Sequence, residues 1–513
     1  MSLSEQYKTY QLAYHLANSE GFDVLHINDT KQELWLEKYE HNTSKVIRIL
    51  HQGFDWKNHL KRDIAQVFQQ TKAMKQLFLG KNIEIYNVYI SAHTPVDEWE
   101  ILKKPIQLNE KNSPKMQVYF ITEHNEVEEF SRLEIDLGIS IDKFKDADQS
   151  EHKIEAAVNT YKFRLSEMLY NKNKAIKDLF SYGKPLLTYI LLVINIIMFV
   201  ILEMNGGSTN VESLIKLGAK YNPYMIDGEW WRLISSMFLH IGFLHLVMNM
   251  LALYYLGVAV ERIYGSTRFL VIYFLAGIAG SLTSFSFSMN VSAGASGAIF
   301  GLFGALLFFG MIHKKVFLQT IGRNIITIVG INIIIGFAVP QIDVGAHLGG
   351  LIAGLIASAI VYLPKDKKIS IQLLSLFLYL LLFSGLFIFG MNSTENRVTY
   401  HLNQIENFIK EGNYESVISQ ATEALEDPGQ FSAEILFQRS IAYIELNKND
   451  LAIEDLENSL LENSDFPEVY HNLALLYYAA GEQEKAEKMV TKAYQLKPKD
   501  ENYQKLYEQI TER

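Results

Sequence analysis

The chain has 0 cysteines among its 513 residues. Without cysteine there is no disulfide, no cysteine-ligated zinc and no cysteine nucleophile. The sequence also lacks the His-Glu-x-x-His motif of zinc proteases, and no basic stripe with interleaved aromatic residues is present. We therefore expect no metal, no other cofactor and no nucleic-acid partner.

The N-terminus, Met-Ser-Leu-Ser-Glu-Gln-Tyr-Lys, lacks the apolar run of a signal peptide, so we expect the first span to direct insertion. Apolar residues make up 49% of the chain and are concentrated between residues 185 and 390. A spanning helix needs about 20 mostly apolar residues. Seven segments fit this length, at 185–203, 233–257, 269–289, 296–312, 322–339, 343–362 and 369–390. The pattern predicts a mostly α, polytopic membrane protein.

Positive charge alternates between the loops. Basic residues flank the spans on one side, at Lys172, Lys174, Lys177, Lys184, Arg262, Arg268, Lys314, Lys315, Arg323, Lys365, Lys367 and Lys368. The opposite loops carry little positive charge, with Lys216 and Lys220 as the exceptions. The positive-inside rule predicts a cell-membrane protein with a cytoplasmic N-terminus, and an odd number of spans places the C-terminus outside.

Soluble regions flank the spans. Residues 83–90 and 116–122 have the β-branched and aromatic content of strands, whereas 56–78 and 151–180 favour helices, which predicts an α+β domain. Near the other end, Leu436, Tyr443 and Ala452 recur 34 residues later as Tyr470, Tyr477 and Ala486, and a weaker copy covers 412–424. This period resembles tetratricopeptide (TPR) repeats, which form helical arrays that bind peptides or proteins. The predicted domains are 1–180, 181–364, 365–391 and 398–513.

Polar groups that are costly in a membrane share one depth. Segments two, four and six enter from the outer side, and each carries such groups near its entrance: His240, His245, Asn249, Ser296 and His347. Small residues form helical stripes beside the serine and the last histidine, at Gly297, Gly301, Gly304, Gly350 and Gly354. Close helix approach would let a histidine activate the serine hydroxyl. Gly-x-Ser-Gly alone indicates packing more often than catalysis, but the conjunction predicts a Ser–His site.

Two other functions compete with a Ser–His protease. A transporter or channel could use the histidines, but the spans show no carboxylate pair and no inverted repeat with broken helices. An adaptor could bind membrane clients and present them to other proteolytic machinery.

The motifs together resemble the rhomboid family of intramembrane serine proteases, over about residues 185–362. The matching elements are Gly294-Ala295-Ser296-Gly297, Ala346-His347-Leu348-Gly349-Gly350 with Gly354, His240 through His245 to Asn249, Glu229-Trp230-Trp231-Arg232, and Glu261-Arg262 with Gly265. The layout is similar to long bacterial rhomboids with an N-terminal soluble domain, a six-helix core, a seventh span and TPR repeats.

The resemblance implies a serine endopeptidase in which Ser296 is the nucleophile and His347 its base. It also implies that His245 and Asn249 line an oxyanion hole, that Trp231 and Arg232 support the first loop, and that nearby glycines support the site, at Gly294, Gly297, Gly350 and Gly354. Family members commonly have a tyrosine stacked on the catalytic histidine, and Phe300 occupies that position here. Expected partners are the lipid bilayer, membrane-protein substrates, and substrates or other membrane proteases bound through the repeats.

Overall fold

A mixed sheet organises the N-terminal region of the computed structural model, which describes residues 2–78, 80–108, 113–140, 150–339 and 342–511. The strand order is β1-β2-β3-β4-β6-β5, with β3, β4 and β6 parallel to one another. The elements are α1 (Leu3–Asn18), β1 (Asp23–Asn28), β2 (Glu33–Glu40), β3 (Thr43–His51), α2 (Lys57–Ala73), β4 (Asn82–Ile90), β5 (Ile106–Gln107), β6 (Lys115–Ile121), α3 (Glu126–Leu137) and α4 (Glu151–Leu179). Both predicted strands and both predicted helices are therefore confirmed.

The imperfect alternation of the 83–90 strand has a structural cause. β4 lies in the middle of the sheet, and apolar side chains pack on both of its faces: Val88 and Ile90 in one core, Ile85 and Tyr89 in the other. A strand buried on both faces appears in sequence as a nearly continuous apolar run.

The chain divides into two compact units, Met1–Tyr182 with Phe309–Thr327, and Gly183–Phe308 with Ile328–Arg513. Among the described residues, five helices are long and apolar enough to cross a membrane, and a sixth span results if the bent pair Lys314–Thr320 and Gly322–Ala338 counts as one. The spans and their loop helices are α5 (Leu186–Met204), α6 (Val211–Lys216), α7 (Asn222–Ile226), α8 (Arg232–Ser235), α9 (Phe243–Ala252), α10 (Val258–Tyr264), α11 (Ser266–Phe287), α12 (Ser296–Ile312), α13 (Lys314–Thr320), α14 (Gly322–Ala338), α15 (Val344–Val361) and α16 (Ile369–Met391). The apolar helix α12 is shorter, at 17 residues.

The second span differs most from its prediction. We expected it to begin near residue 233, but the helix begins at Phe243 and continues through a π-turn to Tyr264. Gly242, with φ of 80°, lies immediately before this helix and allows the chain to turn there. The apolar residues that suggested an earlier start, Leu233 and Leu239, are buried in the preceding loop. Apolar content alone does not separate a buried loop from a helix.

The C-terminal region forms antiparallel helix pairs, as the 34-residue period predicts. Its helices are α17 (Thr394–Glu411), α18 (Tyr414–Ala424), α19 (Ser432–Glu445), α20 (Asn449–Glu462), α21 (Pro467–Ala479), α22 (Gln483–Leu496) and α23 (Glu501–Thr511). Equivalent small residues of the two repeats, Ala452 and Ala486, are fully buried. Gly412 and Gly481 end helices in the left-handed region, where glycine is favoured.

Candidate active site

Glycines let three helices approach closely around Ser296. A Cβ atom added to Gly350 of α15 would lie 2.0 Å from the carbonyl oxygen of Gly297 in α12, and one added to Gly354 would lie 2.2 Å from that of Gly301. Gly280 of α11 faces the carbonyl of Ala346 in the same way, at 2.8 Å. These distances are too short for any side chain. The predicted glycine stripes thus form the contact between α12 and α15.

The imidazole of His347 packs flat against the ring of Phe300. The ring centroids are 4.2 Å apart and the planes differ by 12°. Phe300 is one helical turn after Ser296 on α12, so the stack holds His347 beside the helix that carries the serine. Among the residues that the structure describes, no hydrogen bond joins the Ser296 hydroxyl to His347. In enzymes without substrate such bonds are often long, and they shorten in the substrate complex.

The imidazole of His245 lies beside Gly294, two residues before the serine. A Cβ atom on Gly294 would lie 3.1 Å from Nε2 of His245 and 3.7 Å from Oγ of Ser296, so both polar atoms border this glycine. Asn249, one turn further along α9, donates from its side-chain amide to the carbonyl of His245 at 2.9 Å. An amide nitrogen carries two N–H groups, so Asn249 can donate a second hydrogen bond.

His240 supports the loop before Ser296, which is the structural role that its sequence position suggested. Nε2 of His240 accepts a hydrogen bond from the N–H of Ala295 at 3.4 Å, and its ring lies 5.4 Å from that of His245. On one continuous helix His240 would lie about 140° around the axis from His245. The structure differs, because the helix begins at Phe243 and His240 precedes it.

Asp343 is a second polar residue that the sequence analysis missed. Its carboxylate accepts a hydrogen bond from the N–H of Ala346 at 2.9 Å and caps α15 one turn before His347. The same carboxylate accepts a hydrogen bond from the hydroxyl of Ser284 in α11. The pattern Asp-x-x-Ala at the start of an apolar run is a helix N-cap signal that could have identified it.

A small cavity lies beside the serine. Its volume is about 20 Å³, which is room for about one water molecule. The polar part of the lining consists of Ser236, Ser281, Ser292 and Ser296. The hydroxyls of Ser236 and Ser281 are 3.3 Å apart. A water molecule here would find polar partners within reach of the serine that we expect to react.

The loop between the first two spans is held by Arg232. Its guanidinium is buried, pairs with Glu229 and donates to the carbonyls of Ile215 and Ala219 at 2.6 and 3.0 Å. Trp231 lies beside it, with 51% of its surface exposed and its ring 4.8 Å from the guanidinium carbon. These contacts join Arg232 to backbone carbonyls 13 and 17 residues earlier in the same loop.

Family models match two parts of the chain, and one relative matches nearly its whole length. A family model described as the rhomboid domain matches residues 227–364, and one described as a tetratricopeptide repeat matches residues 443–510. Rhomboid protease GluP of Bacillus subtilis is 37% identical over 479 residues, 92% of this chain and 92% of that protein. Rhomboid protease AarA of Providencia stuartii is 30% identical over 245 residues, 40% of this chain and 87% of that protein.

Among solved structures, the second TPR domain of human RPAP3, in complex with an HSP70 peptide, is similar to part of the chain. It covers 24% of this chain and 100% of that domain, with 17% identity and a TM-score of 0.22.

Proposed function

The chain belongs to the rhomboid family and is a multi-pass membrane serine endopeptidase, and on this premise we propose that Ser296 and His347 are its catalytic dyad. The observation that carries the proposal is the stack of His347 on Phe300, one turn after Ser296 on the same helix. A serine hydroxyl is a weak nucleophile unless an adjacent base removes its proton. Packing against Phe300 keeps the imidazole beside the helix that carries this hydroxyl.

The reaction proceeds in two steps. In the first, Oγ of Ser296 attacks the scissile carbonyl carbon while His347 takes the hydroxyl proton. His347 then gives this proton to the leaving amine as the C–N bond breaks, which leaves an acyl ester on Ser296. In the second step, a water molecule gives a proton to His347 and attacks the ester carbonyl carbon. His347 returns a proton to Oγ as the ester C–O bond breaks, which releases the carboxylic acid product and restores the serine. The cavity lined by Ser236 and Ser281 is the source of this water.

We propose that the negative oxygen of each tetrahedral intermediate faces His245. The support is the position of its Nε2 beside Gly294, a glycine that also borders Oγ of Ser296. The second N–H of Asn249 and the backbone N–H of Ser296 supply further donors. One oxyanion donor is typically worth about 2.7–4 kcal/mol in the transition state.

The charge pattern supports cleavage near the outer membrane face. The basic loops favour a cytoplasmic N-terminal domain. In that orientation α12 and α15 enter from the outer side, with Ser296 and His347 at their entrances. The substrates are membrane proteins whose spanning helix unwinds near its outer end, since a helix exposes no scissile bond. The C-terminal repeats lie outside and bind segments of substrates or of partner proteases.

Cleavage of a reporter tests the proposal. A membrane substrate with a helix-weakening outer segment is co-expressed with wild type, Ser296→Ala and His347→Ala. We expect fragments with wild type and none with either variant, because each removes one half of the dyad.

Three results would count against the proposal in different ways. Unchanged cleavage in both variants would remove the dyad assignment. Cleavage lost only in Ser296→Ala would keep the nucleophile and remove His347 as base. Binding of a panel of substrates by wild type with no cleavage of any would favour the adaptor function.

A further inference from the structure

Lys220 is an anomaly in the charge pattern, because it is a basic residue in an outer loop. The structure shows that it is not on the surface: its side chain is fully buried, with an exposed fraction of 0%. A buried ammonium group is costly unless its three N–H groups find acceptors. Lys220 finds three: Nζ donates to Oδ1 of Asn222 at 2.9 Å and to the carbonyls of Ser288 and Asn290 at 2.8 and 2.9 Å.

Two of these acceptors belong to residues 288–295, the loop that leads directly into Ser296. The backbone of Lys220 also pairs with this loop, since its N–H donates to Ser292 at 2.9 Å and its carbonyl accepts from Ser292 at 3.1 Å. Lys220 therefore forms hydrogen bonds with Ser288, Asn290 and Ser292 of this loop. The next fixed point is Gly294, whose N–H donates to the carbonyl of Ser236 at 2.9 Å.

Asn222 extends the same network to the C-terminal helices. Its amide nitrogen donates to the carbonyl of Ser288 at 3.0 Å and to Oδ1 of Asn396 at 2.5 Å. Asn396, in the first turn of α17, donates in turn to the carbonyls of Phe285 and Gly390 at 3.0 and 2.9 Å. Both asparagines are almost fully buried.

A second bond joins the same two parts of the chain. The side-chain amide of Asn403, two turns further along α17, donates to the hydroxyl of Tyr221 at 3.1 Å. The helix that opens the repeat array is thus bonded to the loop between the first two spans at two points. A flexible connection between the last span and the C-terminal helices would not form these hydrogen bonds.

We propose that Lys220, Asn222 and Asn396 are positioning residues that hold the loop 288–295, and through it Ser296, at the reactive distance. This inference rests on the proposed role of Ser296 as nucleophile. On this proposal α17 contributes to the active site, because Asn396 is part of the hydrogen-bond network that holds the loop. Misplacing a reacting atom by about 1 Å can cost about 100-fold in rate.

The test measures the nucleophile directly, with a phosphonofluoridate probe. Oγ of the serine forms a bond to phosphorus, fluoride leaves, and the hydroxyl proton passes to the base, so the labelling rate reports the position and activation of the serine. The full-length variants Lys220→Met and Asn396→Ala are purified in detergent and labelled. We expect their labelling rate and kcat to fall about 10- to 100-fold, with KM within about twofold of wild type.

A matched control separates positioning from general destabilisation. Asn195 is also fully buried, and its amide donates to the carbonyl of Leu191 in its own helix, away from the loop. We expect Asn195→Ala to lower the melting temperature while leaving the labelling rate near that of wild type.

Each outcome decides one question. Folded Asn396→Ala that labels at the wild-type rate would overturn the proposal, and so would an equal loss in Asn195→Ala. If Lys220→Met does not fold, Asn396→Ala alone decides. Labelling of Ser296→Ala at the wild-type rate would instead overturn the proposed nucleophile, whatever the other variants do.

Discussion

At the scale of single residues, the orientation of His347 depends on a hydrocarbon contact. The Phe300 ring covers one face of the imidazole, and the Asp343 carboxylate caps the helix turn from which it projects. Among the described residues, the Asp343 carboxylate forms no hydrogen bond with the imidazole. In the proposed dyad, this packing takes the place of the carboxylate that orients histidine in a Ser-His-Asp triad.

Removing the Phe300 ring should release His347. An aromatic contact of this kind is worth about 0.5–1.5 kcal/mol, so we expect Phe300→Ala to lower kcat by a factor of about 2 to 10. Phe300→Tyr keeps the stacked ring and should retain activity. Steady-state cleavage of a reporter measures both. Full kcat in Phe300→Ala would contradict the idea that the stack orients the base.

Lys220 gives a pH dependence that can be measured on stability. Burial lowers its pKa to about 8 from an ordinary value of 10.5, and the Asp343 carboxylate acts in the opposite direction. A lysine with a lowered folded-state pKa weakens the folded state while it is charged. This penalty is complete below about pH 8 and disappears as the pH rises towards 10.5.

We therefore expect the free energy of unfolding of wild type, relative to Lys220→Met, to increase between pH 8 and pH 10. Unfolding in detergent at several pH values measures the difference. An identical pH dependence in the two proteins would show that Lys220 is not buried as described.

At the scale of elements, the site depends on how closely α12 and α15 approach. Backbone atoms of one helix occupy the place where side chains of the other would lie, at Gly297 with Gly350 and at Gly301 with Gly354. In a membrane, where lipid is as apolar as leucine, such packing supplies much of the helix association. The separation of the two helices therefore sets the distance between the two residues of the proposed dyad.

A single methyl group at Gly354 should separate these helices. Its Cβ would lie 2.2 Å from a backbone oxygen that cannot move aside, so we expect Gly354→Ala to lower kcat about 100-fold. The matched control is Gly330→Ala in α14, where nothing lies within 4 Å of an added Cβ. Both changes raise helix propensity equally, so equal activity in the two variants would contradict the packing explanation.

At the scale of the whole molecule, an α+β domain, a helical bundle and a repeat array are joined in one chain. The repeats begin in α17, directly after the last span, and α17 bonds to the loop that we propose positions the serine. If the repeats bind proteins as proposed, α17 connects that function to the proposed active site through hydrogen bonds.

The absence of cysteine makes the orientation of the termini directly testable. Lys410→Cys places a thiol on an exposed position of α17, and Val96→Cys places one in the N-terminal domain at a position with 79% exposure. We expect a membrane-impermeant maleimide to label only Lys410→Cys in intact cells and both variants after lysis. Labelling of Val96→Cys alone in intact cells would reverse the proposed topology.

The sequence by itself determined where the long apolar segments lie, though not the start of the second span. It also determined the charge pattern of the loops, the repeat array and the candidate residues Ser296 and His347. These features depend on local composition and on short periods, which any stretch of chain carries with it. The strands at 83–90 and 116–122 were predicted for the same reason.

Only the tertiary structure decided what Lys220, Asn396 and His240 contact. Lys220 appears in the sequence as a misplaced surface charge, and Asn396 as an ordinary polar residue after the last span. Their partners lie about 70 to 170 residues away in the chain. Burial and hydrogen bonding between distant segments leave no local pattern, because a buried ammonium group and an exposed one are written with the same residue.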